Sequence, residues 1–343
     1  MIESVRALLR RLPRPARRLV YAPGRLAGGA WDRFVDWFNG LDLSENAVLL
    51  GFAVVVGVAG AFGVIWLYKL IDLAYLVFFR WPSTWLPEFG PYVTRPLITG
   101  AAVFAAWWIM RRFAPGEEGM TVPDVQRLVV RAGGRIPTRP AVVRTAASAA
   151  TLGGGASVGS EGPVAVLGSA AGSAISQAFR FGTERTTLLV AAGAAAAISA
   201  AFNAPLAGAF FALEEILGGL SVAAFPVVVV SSVVAAVISR AVFGDHPAFP
   251  LPEEYTYRHA GEVVIAYPLL GVIIGVVAAL FIRLFFRLSR SEVSGARALS
   301  GGALVGLLVA ASGGLLVGSG HLAIPRAVLG TLAWEERRRP AVG

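Results

Sequence analysis

Six apolar runs constrain this chain more than anything else in it: Ala47–Tyr68, Pro96–Met110, Thr187–Ala201, Val222–Ile238, Val263–Ile282 and Ala303–Val317 contain no charged side chain. So much uncharged length is hidden either in a very large core or in a bilayer. Charged residues are 15% and apolar residues 56% of the 343, whereas soluble domains carry about 25% charged residues. The bilayer is the solution that fits. The runs are continuous rather than alternating, which points to helices and away from a barrel. A straight span takes about 20 apolar residues, and several of these runs are shorter or interrupted by glycine or proline. Broken or steeply tilted helices are therefore expected, with any binding site near the midplane.

The net charge of +9 does not gather on one soluble face, so it carries no sign of nucleic-acid binding. Most arginines sit at the edges of apolar runs, as the positive-inside rule requires. Arg6, Arg10, Arg11, Arg14, Arg17 and Arg18 alternate with Val5, Leu8, Leu9, Leu12 and Leu19, the pattern of a cytoplasmic helix lying on the membrane surface. With no cysteine and only His246, His259 and His321 scattered in expected loops, neither disulfides nor a metal site is expected. No nucleophile–base set stands out, so an enzyme is not expected.

The stretch from Gly153 to Ser173, GGGASVGSEGPVAVLGSAAGS, places Glu161 among glycines and just before Pro163. A carboxylate at membrane depth is costly and marks ion or proton pathways. Glycines expose backbone N–H groups to an anion. Pro163 suits the first turn of a new helix, whose positive end would face the loop. A solvated glutamate in a plain turn between two membrane helices is the competing reading. Farther on, Phe202-Asn-Ala-Pro205 interrupts an Ala/Gly/Ser-rich region and starts another helix, which carries Glu214 and Glu215 near its end. Small residues of this kind let membrane helices pack backbone to backbone.

Four parts are expected along the chain: a basic, amphipathic cytoplasmic segment over 1–40, a first membrane repeat over 41–243, a polar loop over 244–261, and the start of a second membrane repeat over 262–343. Ser44 is positioned to cap the first long helix, which should run through Tyr68 and toward Phe79.

Three blocks resemble the CLC family of chloride channels and proton-coupled chloride transporters. Gly159-Ser160-Glu161-Gly162-Pro163 is similar to its GxEGP filter motif, Phe202-Asn-Ala-Pro-Leu-Ala-Gly208 followed by Leu213-Glu214-Glu215 to its FNAPLAG…EE block, and Gly119-Met120-Thr121-Val122-Pro123 to a degraded GSGIP motif. The resemblance implies an all-α integral membrane protein, an inverted repeat of tilted and broken helices, working as a homodimer in the cell membrane without a cofactor. It implies an anion site at Gly159, Ser160, Glu161, Gly162 and Met120. It makes Glu161 the gate, which occupies an anion position when charged and swings away when protonated, and Glu215 the internal proton-transfer residue. For Glu214, a solvated charge at a cytoplasmic helix end is the preferred reading.

Two departures accompany the resemblance. The family's filter serine falls on Met120, whose thioether cannot donate the hydrogen bond a hydroxyl gives to chloride. After Gly318-Ser-Gly320-His-Leu-Ala-Ile-Pro325, family members continue with helices that have no counterpart here, so the second repeat is expected to be incomplete. A second polypeptide would then supply the missing helices, or the gene is broken. The expected function is chloride transport, as proton exchange gated by a glutamate. A passive chloride channel and a non-transporting membrane subunit or pseudogene product are the alternatives.

Overall fold

The computed structural model describes residues 29–40, 44–84, 90–116, 120–245, 260–289, 293–318 and 323–324, and the described residues form helices with no strand. In chain order these are α1 (Ala30–Asn39), α2 (Glu45–Tyr75), α3 (Pro91–Phe113), α4 (Val122–Ala132), α5 (Thr138–Gly153), α6 (Glu161–Ala178), α7 (Thr183–Phe202), α8 (Pro205–Phe211), α9 (Ala224–Phe243), α10 (Ala260–Ser289) and α11 (Gly295–Ala311). α2 continues through a π-helical turn, Leu76–Arg80, and α8 through another, Ala212–Ile216. The arginine-rich residues 1–28 lie outside the described residues, as does most of the expected polar loop, of which α10 takes the end from Ala260.

The expected caps and runs need several corrections. Ser44 does cap α2, its hydroxyl accepting from the Ala47 N–H at 3.4 Å. The helix then stays regular to Tyr75. α3 begins at Pro91, not Pro96, and carries Pro96 inside it. Its neighbour α11 braces that turn. The Arg95 guanidinium donates to the Val309 carbonyl at 3.0 Å, and Gly306 sits so close that a Cβ there would be 2.7 Å from the Pro96 Cα. The last run is a helix only from Gly295 to Ala311, because Gly313 and Gly314 turn to φ +65° and +91°, a backbone that ends helices. Runs that looked too short to span lengthen through polar ends such as Thr183–Thr187. As a result Glu45–Arg80, Pro91–Phe113, Thr183–Phe202, Ala224–Phe243 and Val264–Leu288 are all long and apolar enough to cross a membrane.

α7 is the axis of the bundle: every residue from Leu189 to Ala200 is buried. It crosses α6 at Gly168 and Gly193, where a Cβ on either would collide with the other's carbonyl oxygen. This is the close backbone approach that small residues permit in membranes. Against α9 it is held by serine hydroxyls. Ser231 donates to Ala192 O at 2.9 Å, Ser232 to Ala195 O at 3.2 Å, Ser239 to Ala200 O at 2.6 Å, and Ser199 to Ser232 O at 2.7 Å. α2 packs across α7, α9 and α6, while α3 lies against α5 and α11.

At one end α1 docks on the α6–α7 turn. Phe38 and Phe52 meet Phe179 there, and Phe52 also meets Phe38 and Phe181, all edge to face with ring centroids 4.6–5.8 Å apart; Phe179 and Phe181 lie tilted at 5.9 Å. Arg180, in the left-handed region at φ 57°, pairs with Asp36 at 3.0 Å and with Asp32. α10 is exposed along its whole length from Val264 to Leu288.

Candidate functional site

The glycine-rich loop between α5 and α6 is pinned on two sides. Thr99 of α3 donates to the Gly154 carbonyl at 2.9 Å, and the Gly318 N–H donates to the Ala156 carbonyl at 3.1 Å. The chain leaves this loop into α6 with Glu161 as the first residue of the helix and Ser160 as its buried cap position. Pro163 falls within the first turn, where a missing N–H costs nothing. The positive end of an 18-residue helix therefore lies at the carboxylate itself.

The Glu161 side chain turns back over the loop. A Cβ on Gly159 would collide with its Oε2, and only a bare Cα leaves room. Glu161 is exposed, so no burial prevents the carboxylate from leaving. The phenol of Tyr68, on α2, lies beside Ser160 and Glu161 and its hydroxyl donates to the Ala201 carbonyl at 3.3 Å. Tyr68 thus bridges the glycine-rich loop and the end of α7. That end is the expected Phe202–Pro205 interruption. Asn203 terminates α7 in the left-handed region at φ 54°, and its side-chain oxygen accepts from Arg240 of α9 at 2.6 Å.

A cavity of about 400 Å³ opens beside the loop. Arg111, Arg144, Ser148, Thr151, Gly159 and Pro163 contribute to its wall, so two guanidinium groups share a space with the glycine-rich loop. Arg144 of α5 and Tyr68 of α2 come to this loop from separate helices. Neither carries a local signal, because each acquires its place from elements distant in the chain.

Met120 ends up differently from the other predicted site residues. It is 7% exposed and packs in the apolar cluster that holds Val125, Val166 and Leu213. The polar chemistry at this point belongs to Thr121. Its N–H and hydroxyl both donate to the Asp124 carboxylate, at 2.9 and 2.6 Å, and fix the start of α4. Gly119 lies outside the described residues.

Glu215 stands apart from Glu161, in the π-helical turn after α8, and both it and Glu214 are exposed. Gln126 of α4 reaches it, donating to its backbone carbonyl at 2.5 Å and to its carboxylate Oε2 at 3.3 Å.

Helices broken at mid-chain around a carboxylate, with small-residue crossings and several spans, define a polytopic helical membrane protein. Residues 101–336 match the family model described as voltage gated chloride channel, and the chain belongs to that family. It is 30% identical over 222 residues to a ClcB-like protein of Ralstonia nicotianae, covering 64% of this chain and 48% of that one. It is 28% identical over 191 residues to the H(+)/Cl(-) exchange transporter ClcA of Vibrio campbellii, covering 55% and 40%. Among solved structures it resembles a slow cyanobacterial Cl-/H+ antiporter, with TM-score 0.65 and 25% identity over 78% of this chain and 64% of that chain. The chain spans about half the length of the curated relatives it matches.

Proposed function

We propose that this chain carries the filter and gate of a transporter that exchanges chloride for protons, with Glu161 as the gate and Glu215 as the internal proton carrier. The carboxylate of Glu161 lying over Gly159 is the observation that carries the reading. Here the side chain occupies the place at the start of α6 where an anion would be drawn by the helix dipole and free amides. A charged Glu161 then competes with chloride; a protonated one does not, and it releases the place. Gly159, Ser160 and Gly162 supply the surrounding backbone, and Met120 marks the start of the second helix, α4, contributing main chain rather than a hydroxyl. Membership of the family and the likeness to exchangers support exchange over passive conduction.

The working unit is read as a homodimer in the cell membrane, with the wholly exposed α10 facing lipid or a second polypeptide. The four-part division of the chain at 40, 243 and 261 is kept in this reading.

Chloride and proton fluxes measured together in liposomes containing the active assembly test it. Glu161→Ala should remove the dependence of chloride flux on external pH, and Glu215→Gln should stop proton movement while chloride still passes. Unaltered pH dependence in Glu161→Ala removes Glu161 from the gate. Wild-type chloride flux without protons replaces exchange by a passive channel.

A further inference from the structure

We infer that Gln126 is a positioning residue for the proton step, holding Glu215 to the same short helix that begins at the anion filter. The inference rests on the reading of Glu215 as proton carrier. Glu215 lies in a π-helical turn, where the following donors go elsewhere: the Leu217 N–H to Ala212 O at 3.1 Å and the Gly219 N–H to Leu213 O at 2.9 Å. The carboxamide of Gln126 takes the Glu215 carbonyl at 2.5 Å, and the same nitrogen lies 3.3 Å from Oε2. A carboxamide NH2 has two donors, so one group can fix both the backbone and the carboxylate. It carries no proton to exchange near neutral pH, so it orients the carrier without competing for its proton.

The consequence is mechanical. α4 starts at the Thr121–Asp124 cap beside Met120, and Gln126 follows five residues later, about 7.5 Å along the axis at 1.5 Å per residue. A shift of α4 when the filter fills or empties would move the Glu215 carboxylate with it. Of the charged groups on the elements packed here, Asp124 pairs with Arg127 at 3.0 Å on α4, Arg185 of α7 with Glu45 at 2.9 Å, and Arg240 of α9 with Asp245 at 3.2 Å. Arg131 on α4, Glu184 on α7 and the neighbouring Glu214 complete the set. Glu215 is in no ion pair among the described residues.

Gln126→Met removes the donors at similar volume. In the full chain in lipid, with its partner where one is needed, protons moved per chloride should fall by about fivefold or more, the lower end of coupling between linked sites, with chloride flux retained. Isotope-edited infrared spectra, in which the Glu215 carboxylate band is identified by its loss in Glu215→Gln, should show that band displaced in Gln126→Met. This arm needs no flux. An unmoved band, or a displaced band with an unchanged proton-to-chloride ratio, overturns the inference. If Glu215→Gln itself still moves protons, the exchange reading fails instead, a result separable from the other two.

Discussion

The serine ladder between α7 and α9 allows a stability prediction to be worked from the structure. Ser231→Ala, Ser232→Ala and Ser239→Ala together delete three hydroxyl donors, at 2.9, 3.2 and 2.6 Å from the carbonyls of Ala192, Ala195 and Ala200. The Ala192 and Ala195 carbonyls lie inside α7 and keep their helical partners, but Ala200 is in its last turn, where the Ala204 N–H goes to Ser199 O at 3.2 Å, so Ser239→Ala leaves a buried carbonyl unpaired and costs the most of the three. The cavity left is one oxygen atom per site. Interhelical hydrogen bonds in membranes average about 0.6 kcal/mol and reach about 1.7. With Ser239→Ala at the upper value, the triple variant should therefore lose about 3 kcal/mol, with a ceiling near 5. At 1.4 kcal/mol per factor of ten, the expected loss is an unfolding constant raised about 100-fold. Reversible unfolding in bicelles, by denaturing detergent or steric trapping, reads this directly. A triple variant as stable as the wild type would mean that the ladder adds nothing to helix association. A loss well beyond the ceiling would mean that the serines do more than donate.

Three further outcomes follow from described contacts. Gly168→Ala drives a methyl into the Gly193 carbonyl and should cost about 1–3 kcal/mol by overpacking, seen as a lowered melting midpoint in detergent, whereas Gly162→Ala, with nothing near its Cβ, should not. Met120→Ser should strengthen chloride binding in the assembled protein by up to about 1.5–3 kcal/mol, measured by calorimetry, while destabilising the apolar cluster around it; weaker or unchanged binding would show that residue 120 does not face the anion. Asp124→Ala removes the partner of Thr121 and should cost about 1 kcal/mol, appearing as faster amide exchange confined to the first turn of α4.

How much was legible in the sequence depended on whether the determining contacts were local. The Ser44 cap, the Asn203–Pro205 interruption and the positions of the spans rest on neighbours in the chain, and the structure has them. Glu161 was found because a carboxylate between glycines is conspicuous in an apolar chain. Its placement one step inside the helix, rather than in the loop, was not readable, since Pro163 tolerates any position in a first turn. The passage of α3 through Pro96 was hidden because it depends on Arg95 and Pro96 meeting Val309 and Gly306 of α11, more than 200 residues later. Gln126 and Tyr68 were hidden for the same reason. Each is an ordinary helical residue until the chain from residue 160 onward folds back to meet it.

The crossing of α6 and α7 at paired glycines also bears on the order of assembly. α6, α7, α8 and α9 follow one another within residues 161–243, and the tightest contacts of α7 are with its immediate neighbours in sequence. Loop closure between adjacent helices carries little entropy, and local topology speeds folding. The helix that begins at Glu161 can therefore lock into the bundle as its partners leave the insertion machinery, before α10 and α11 are synthesised. The filter would then be a template laid down early, on which later helices dock, and not a cavity that waits for the last of them.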